Sequence, residues 1–261
     1  MSIDTKLISQ LRELTGAGIV DCRQALMQAN NNLDQAVEIL RKKGAIKAAK
    51  KSDRATKEGV MALASQADKI AVVGLACETD FVARTQDFID VVKNFAQRLL
   101  TGNQAEFESW ARQQIKDELA VKIGENIQLV AAQIFQGKVI GSYLHSNRKI
   151  ASVVVLSAGS VGLANDLAMQ VTAMSPKYIK PEDIPAAVID KEKEIYREQL
   201  KAEKKPQAMW EKIIPGKLAK YYQEVCLLKQ PYFKDDKIKV EDLIKPAGEG
   251  IQVVEFFRYQ I

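Results

Sequence analysis

The chain has 261 residues, 47% of them hydrophobic, and a formal net charge of +5. That length holds a small domain plus a larger one, with enough apolar material for a sizeable core. No apolar run approaches the ~20 residues a membrane helix needs, and Met1-Ser2-Ile3-Asp4-Thr5-Lys6 shows neither a secretory signal nor a transit peptide, so a cytoplasmic protein without membrane contact is expected.

Chemistry-bearing residues are few. Cys22, Cys77 and Cys226 are far apart and form no CxxC pair, which predicts reduced, buried thiols and neither a disulfide framework nor a zinc site. Cys77 is expected on a strand. His145 is the single histidine, which excludes metal sites built on several histidines. A nucleophilic triad would have to use it, yet neighbouring strand residues point to opposite faces, so Ser146 is not its partner. No catalytic residue, cofactor or resident metal is expected.

The charge is uneven. Between Arg41 and Lys57 stand eight basic residues and one acid, Asp53, giving that stretch +7 and leaving −2 for the rest. It contains no aromatic to stack on bases, unlike a typical single-strand nucleic-acid surface. Two readings remain open: a solvated linker with helical tendency, or a phosphate-binding arm.

In chain order, residues 1–45 read as three short helices. Leu7, Leu11 and Leu14 form the first apolar face; Ile19, Cys22, Ala25, Leu26 and Ala29 the second; Leu33, Ala36, Val37 and Leu40 the third. Gly44 is placed as the closing cap. Residues 46–57 follow as the basic linker. Val60, Ala62 and Ala64 then pair with Ile70, Val72 and Leu75 as a hairpin turning near Gln66-Ala67-Asp68.

The organising stretch is Cys77-Glu78-Thr79-Asp80-Phe81-Val82-Ala83-Arg84. An apolar strand precedes it, and Phe88, Val91, Val92, Phe95 and Leu99 continue it as a helix to Leu100. Thr79 or Asp80 can cap the first turn, and Asp80 suits the positive end of the helix dipole. Two fates are open to Phe81. Its spacing from Phe88 puts it near the same stripe and so in the core. The tilt of helical side chains toward the N-terminus instead lets it overhang the end of the helix as a wedge.

A second amphipathic helix covers 104–123, with Phe107, Ala111, Ile115 and Leu119 in register. Val139–Tyr143 and Ile150–Leu156 read as strands flanking a polar tip that carries His145. Ser157-Ala158-Gly159-Ser160-Val161-Gly162 joins a strand to a helix but matches no nucleotide-binding motif. Residues from Ala186 to Gln199 and from Gln207 to Tyr222 read as helices around Lys204-Lys205-Pro206. Their thin seam, Ile189, Ile195 and Leu200, fits a projecting antiparallel hairpin or a surface pair on the core. Residues 250–261 alternate as a strand completing the sheet of the second half. The class is therefore α+β, with the core divided into 58–140 and 141–261, the second part carrying the hairpin at about 186–224.

Thr79-Asp80-Phe81-Val82 closely resembles the central signature of the elongation factor Ts family. So do Leu14–Leu26, Gly141-Ser142-Tyr143-Leu144-His145 and Gln230-Pro231-Tyr232-Phe233-Lys234-Asp235, in the expected order over nearly the whole chain. The first 45 residues look like a ubiquitin-associated domain. The resemblance implies a guanine-nucleotide exchange factor, not an enzyme, that binds elongation factor Tu, displaces Mg²⁺ and promotes GDP release and GTP reloading. It assigns the wedge to Thr79, Asp80, Phe81 and Val82, a secondary contact to His145, and an N-terminal contact to Gly18, Ile19 and Val20. The family carries methionines where Ile19 and Val20 stand, an acid and an asparagine where Gly74 and Ala76 stand, and glycines where Ser146 and Asn147 stand. No nucleic acid, membrane or small-molecule substrate is implied, and an organelle encoding its own copy is the alternative location. The rival reading is an RNA-binding, translation-associated protein using residues 41–57.

Overall fold

A computed structural model describes residues 5–49, 51, 53–248 and 250–261, the side chains of 45–49 excepted. Lys50 of the basic stretch thus lies outside the described residues, as does the side chain of Lys47. Helices α1 (Thr5–Thr15), α2 (Ile19–Gln28) and α3 (Leu33–Ala49) pack around Leu11, Cys22, Ala25, Leu26, Ala36 and Leu40. Leu14 and Ile19 were expected in this core but are 66% and 56% exposed, because the Gly16 turn swings both ends of the connection outward.

Gly44 does not end α3, which runs on to Ala49 through the first part of the expected linker. Its role is close approach. A Cβ there would lie 2.2 Å from the Val121 side chain, so glycine lets the N-terminal bundle dock on the core.

The core begins with strands β1 (Glu58–Gln66) and β2 (Lys69–Cys77). They form an antiparallel hairpin in which Val60 faces Leu75 as expected. Ala62 faces Val73 and Ala64 faces Ala71, each one residue from the expected partner, because the turn is the two residues Ala67-Asp68. After Lys69 every residue of β2 is buried, which explains its unbroken apolar run: both faces of this central strand are covered.

One expected helix becomes two. α4 (Asp80–Ala83) ends at Arg84, and Thr85 starts α5 (Gln86–Thr101) by accepting the Phe88 N–H at 3.3 Å. Phe88, Ile89, Val92, Phe95, Ala96, Leu99 and Leu100 of α5 are buried in the cluster formed with β1 and β2. The second expected helix is α6 (Gln104–Gln114) and α7 (Ala120–Ile123), joined by a π-helical turn, Ile115–Leu119. Four-residue steps drift around an α-helix of 3.6 residues per turn; the wider π turn offsets that drift and keeps Phe107, Ala111, Ile115 and Leu119 all buried. Strand β3 (Gln128–Gln136) then pairs antiparallel with β2.

The second half repeats the plan with β4 (Val139–Leu144) and β5 (Ile150–Leu156), then α8 (Val161–Met174). Because β4 starts at Val139, the halves divide at Gly137-Lys138, slightly before the expected 140/141 boundary. Gly141 allows α8 to sit on β4, for a Cβ there would lie 2.3 Å from the Ala164 backbone. The two sheets stack through Met61, Ile70, Val72 and Phe135 on one side and Ile140, Val153 and Val155 on the other.

Helices α9 (Ala186–Ala202) and α10 (Trp210–Val225) form the hairpin. Leu200 and Leu218 are buried, whereas Ile195 is 41% exposed and so is not part of the seam. The hairpin joins the body at Ile184, Val225 and Cys226, beneath Tyr178, Tyr221 and Tyr222. A two-stranded ribbon, β6 (Pro231–Tyr232) and β7 (Asp235–Lys239), leads to α11 (Val240–Ile244). Strand β8 (Val253–Gln260) completes the order β4-β5-β8, as the alternation at 250–261 predicts.

Candidate partner-binding corner

β2 delivers its last residue, Cys77, into the interior, where the thiol donates to the Thr79 carbonyl at 3.3 Å. Burial first, then the carboxylates of Glu125 and Glu58, push this thiol up to about 12, so it stays protonated and unreactive at neutral pH. Thr79 then leaves the strand with extended backbone (φ −122°, ψ 153°) and caps α4, accepting the Val82 N–H at 3.4 Å. Val82 packs against the first core cluster, and Ala83 is buried in it.

Phe81 goes the other way and is 81% exposed. The break between α4 and α5 separates it from the Phe88 stripe, so the core fate is excluded. A fully buried phenylalanine is worth about 1.5–3 kcal/mol relative to an exposed one. That stabilisation is absent here and remains available to a partner surface. Asp80, beside it, is paired with Arg84 at 3.1 Å, one helical turn on. The pair is exposed, so its contribution is small and it can open readily.

His145 follows β4 at the tip of the second hairpin and is half-buried. Its Nδ1 lies 3.3 Å from the Tyr143 hydroxyl, and its backbone N–H donates to the Ile150 carbonyl at 2.9 Å. The tip is fastened to β1: the Met61 N–H donates to the Arg148 carbonyl at 2.7 Å, and Lys149 pairs with Glu58. α4 also lies against β1. The corner and the histidine tip therefore share one strand as their support. Gly18, Ile19 and Val20 stand apart on the N-terminal bundle, with Ile19 and Val20 open to solvent. Gly18 caps α2 through its extended backbone, and nothing lies within 4 Å of where a side chain would start.

The basic stretch is largely engaged within the protein. Lys42 pairs with Glu38 at 2.7 Å, Lys43 with Asp21 at 2.8 Å and Arg54 with Glu78 at 3.3 Å, while Arg41 reaches Glu118 and Lys51 donates to the Gly124 carbonyl. Among the described residues no group of three or more His, Cys, Asp or Glu could hold a metal ion, and no helix is long and apolar enough to cross a membrane.

The sequence reading missed Glu125, which binds the backbone of Glu78 and Thr79 from the segment entering β3, the strand next to β2. The sequence holds one trace, Gly124-Glu125-Asn126, a glycine followed at once by an acid and an amide; the structure puts that glycine in the left-handed region at φ 79°.

Residues 78–261 match the family model for elongation factor Ts. The chain belongs to the elongation factor Ts family. Residues 2–46 match a UBA-like domain model, in agreement with the three N-terminal helices. Among curated relatives named elongation factor Ts, that of Hydrogenobaculum sp. (strain Y04AAS1) is 38% identical, covering 100% of this chain and 99% of the relative. That of Chlorobium phaeobacteroides (strain BS1) is 40% identical, over 99% of this chain and 98% of the relative. The Aquifex aeolicus (strain VF5) relative is 36% identical, over 100% and 98%. As an elongation factor Ts family member, this α+β chain is a translation elongation factor.

Proposed function

We propose that the chain is a guanine-nucleotide exchange factor for elongation factor Tu and carries out no covalent chemistry of its own. The observation that supports this most is the exposed Phe81, held on a one-turn helix at the end of a strand buried from Ile70 onward. In a GTPase of the Tu type, Mg²⁺ bridges the nucleotide phosphates to the P-loop and a carboxylate. Phe81 inserts into an apolar gap beside that site. Asp80, freed from Arg84, and His145 hold polar groups on either side, and Thr79 and Val82 fix the angle of approach. The resulting distortion displaces Mg²⁺, leaves the phosphate charge poorly compensated and speeds GDP release.

Linkage makes the effect reciprocal: a factor that weakens GDP affinity is itself weakened equally by GDP. A coupling of about 3 kcal/mol changes either affinity about 150-fold. Reloading with GTP then ejects the factor. Ile19 and Val20 add apolar contact on the N-terminal side, and the cytoplasm is the compartment. Phe81→Ala tests the reading directly through release of fluorescent GDP from elongation factor Tu, with thermal unfolding run alongside. A strongly slowed release with unchanged stability is expected; wild-type release would refute the wedge.

A further inference from the structure

α4 cannot hold itself. A single turn is far shorter than the ~12 residues at which an isolated helix becomes even marginally stable. Its cap bond is long, and its aromatic side chain adds nothing to the core. Val82 and Ala83 anchor α4 on the first core cluster, and its cap is supported by Glu125, which sits 46 residues downstream of Thr79 at the entry to β3. Its carboxylate accepts three hydrogen bonds: from the Glu78 N–H at 3.0 Å, the Thr79 N–H at 3.1 Å and the Thr79 hydroxyl at 2.6 Å.

The last of these matters most. A threonine hydroxyl has one proton. Giving it to Glu125 leaves the oxygen's lone pairs turned toward the Val82 N–H, which is the geometry of the cap. Glu78 returns the contact. Its carboxylate accepts the Asn126 N–H at 2.7 Å and meets Arg54 at 3.3 Å, while the Asn126 amide donates to the Arg54 carbonyl at 2.7 Å. Hydrogen bonds to an ionised acceptor are roughly twice as strong as neutral ones. Two acids thus clasp the two segments together: Glu125 holds the backbone of Glu78 and Thr79, and Glu78 holds that of Asn126.

We infer that Glu125 is a positioning residue for exchange: by orienting the Thr79 cap it fixes the angle at which Phe81 leaves the protein, with Glu78 as its reciprocal partner. The inference deepens the exchange reading and rests on it. A simple staple of β3 to β2 would move stability alone. A positioning role moves the maximal rate of GDP release, and moves it only through Phe81.

The test measures fluorescent-GDP release from elongation factor Tu against factor concentration, for the full chain and for Glu125→Ala, Glu125→Gln, Phe81→Ala and the Phe81→Ala/Glu125→Ala pair. Glu125→Ala is expected to lower the maximal rate about tenfold, the kinetic equivalent of one lost cap. The half-saturating concentration should stay within about threefold, because the rest of the binding surface is intact. Glu125→Gln keeps an oxygen for the backbone N–H groups but loses one acceptor, so it should fall between Glu125→Ala and wild type. The double variant should be no slower than Phe81→Ala, since residues acting as one unit are not additive.

Folded Glu125 variants releasing GDP at the wild-type rate would overturn the inference. So would a double variant slower than Phe81→Ala by a further tenfold. Should Glu125→Ala fail to fold, Glu125→Gln decides by the same criteria. Loss of activity in Phe81→Ala with normal Glu125 variants sinks this inference alone, whereas a fully active Phe81→Ala sinks the exchange reading and the inference with it.

Discussion

The two halves of the core share a plan: a hairpin, a helical excursion, then a third strand antiparallel to the hairpin's second strand. In each, the register slips near the same end, between Gly74 and Leu75 in β2 and between Val155 and Leu156 in β5. In each, the residue leaving the second strand is tied to the segment entering the third. The second half uses a neutral tie. Ser157 donates its N–H to the Gln252 carbonyl, and its hydroxyl accepts the Gln252 N–H, both at 2.9 Å. The chain then passes through Ser160, which accepts the Leu163 N–H, straight into the long helix α8. The first half spends two carboxylates at the matching place and inserts α4, with Phe81 outside. A serine is enough to close such a junction, so the extra charge in the first half serves the inserted corner.

The largest effect that could break this comparison is at the two first-turn apolar residues. Phe81→Ala should slow GDP release about 100-fold, close to the full coupling of such a factor. Val161→Ala, at the corresponding turn of the second half and itself 56% exposed, should leave release within about twofold. Equal losses at both would end the claim that only one junction is functional.

Next comes stability. Gly141→Val forces a side chain into the backbone of α8 and should cost roughly 3 kcal/mol or more by overpacking. Denaturant unfolding should show the loss. Smaller still, Ser157→Ala removes the hydroxyl half of the neutral tie, leaving the backbone bond to the Gln252 carbonyl, and should cost about 1 kcal/mol. It should leave exchange unchanged at temperatures where the protein is folded, so a rate defect would show that both ties serve the partner.

The finest difference is in pH. The Asn126 N–H, then Arg54, hold the Glu78 carboxyl below the ordinary glutamate value of 4.5. A group whose value is lowered on folding stabilises above its unfolded value and loses that contribution as pH falls through the lowered one. The charged clasp should therefore loosen below about pH 4.5, seen as a loss of protection of the Asn126 amide relative to its intrinsic exchange rate, while the Ser157 tie shows no such step.

Much of this was legible in the chain. The unbroken run Ile70–Ala76 marks a strand covered on both faces, and the change of period after it marks the corner. The three-helix bundle, the hairpin at 186–224 and the closing strand are local patterns and were readable as such. Three features were not. The stop at Arg84 depends on Thr85 taking over as a cap, which an apolar stripe does not record. Ile195 follows the period of its helix but faces solvent, because the hairpin seam is too thin to cover it. Glu125 leaves no trace in any periodic pattern, since its partners are backbone groups 46 and 47 residues away.

The hairpin has one mechanical consequence. Seventeen residues of α9 span about 25 Å, and among the described residues the arm is rooted at its base, around Ile184, Val225 and Cys226. A tilt of about 10° at that root carries the far end roughly 4 Å, on the same helical rise. The arm is thus a long lever on a narrow pivot, a geometry that gives reach at the expense of fine alignment at its tip.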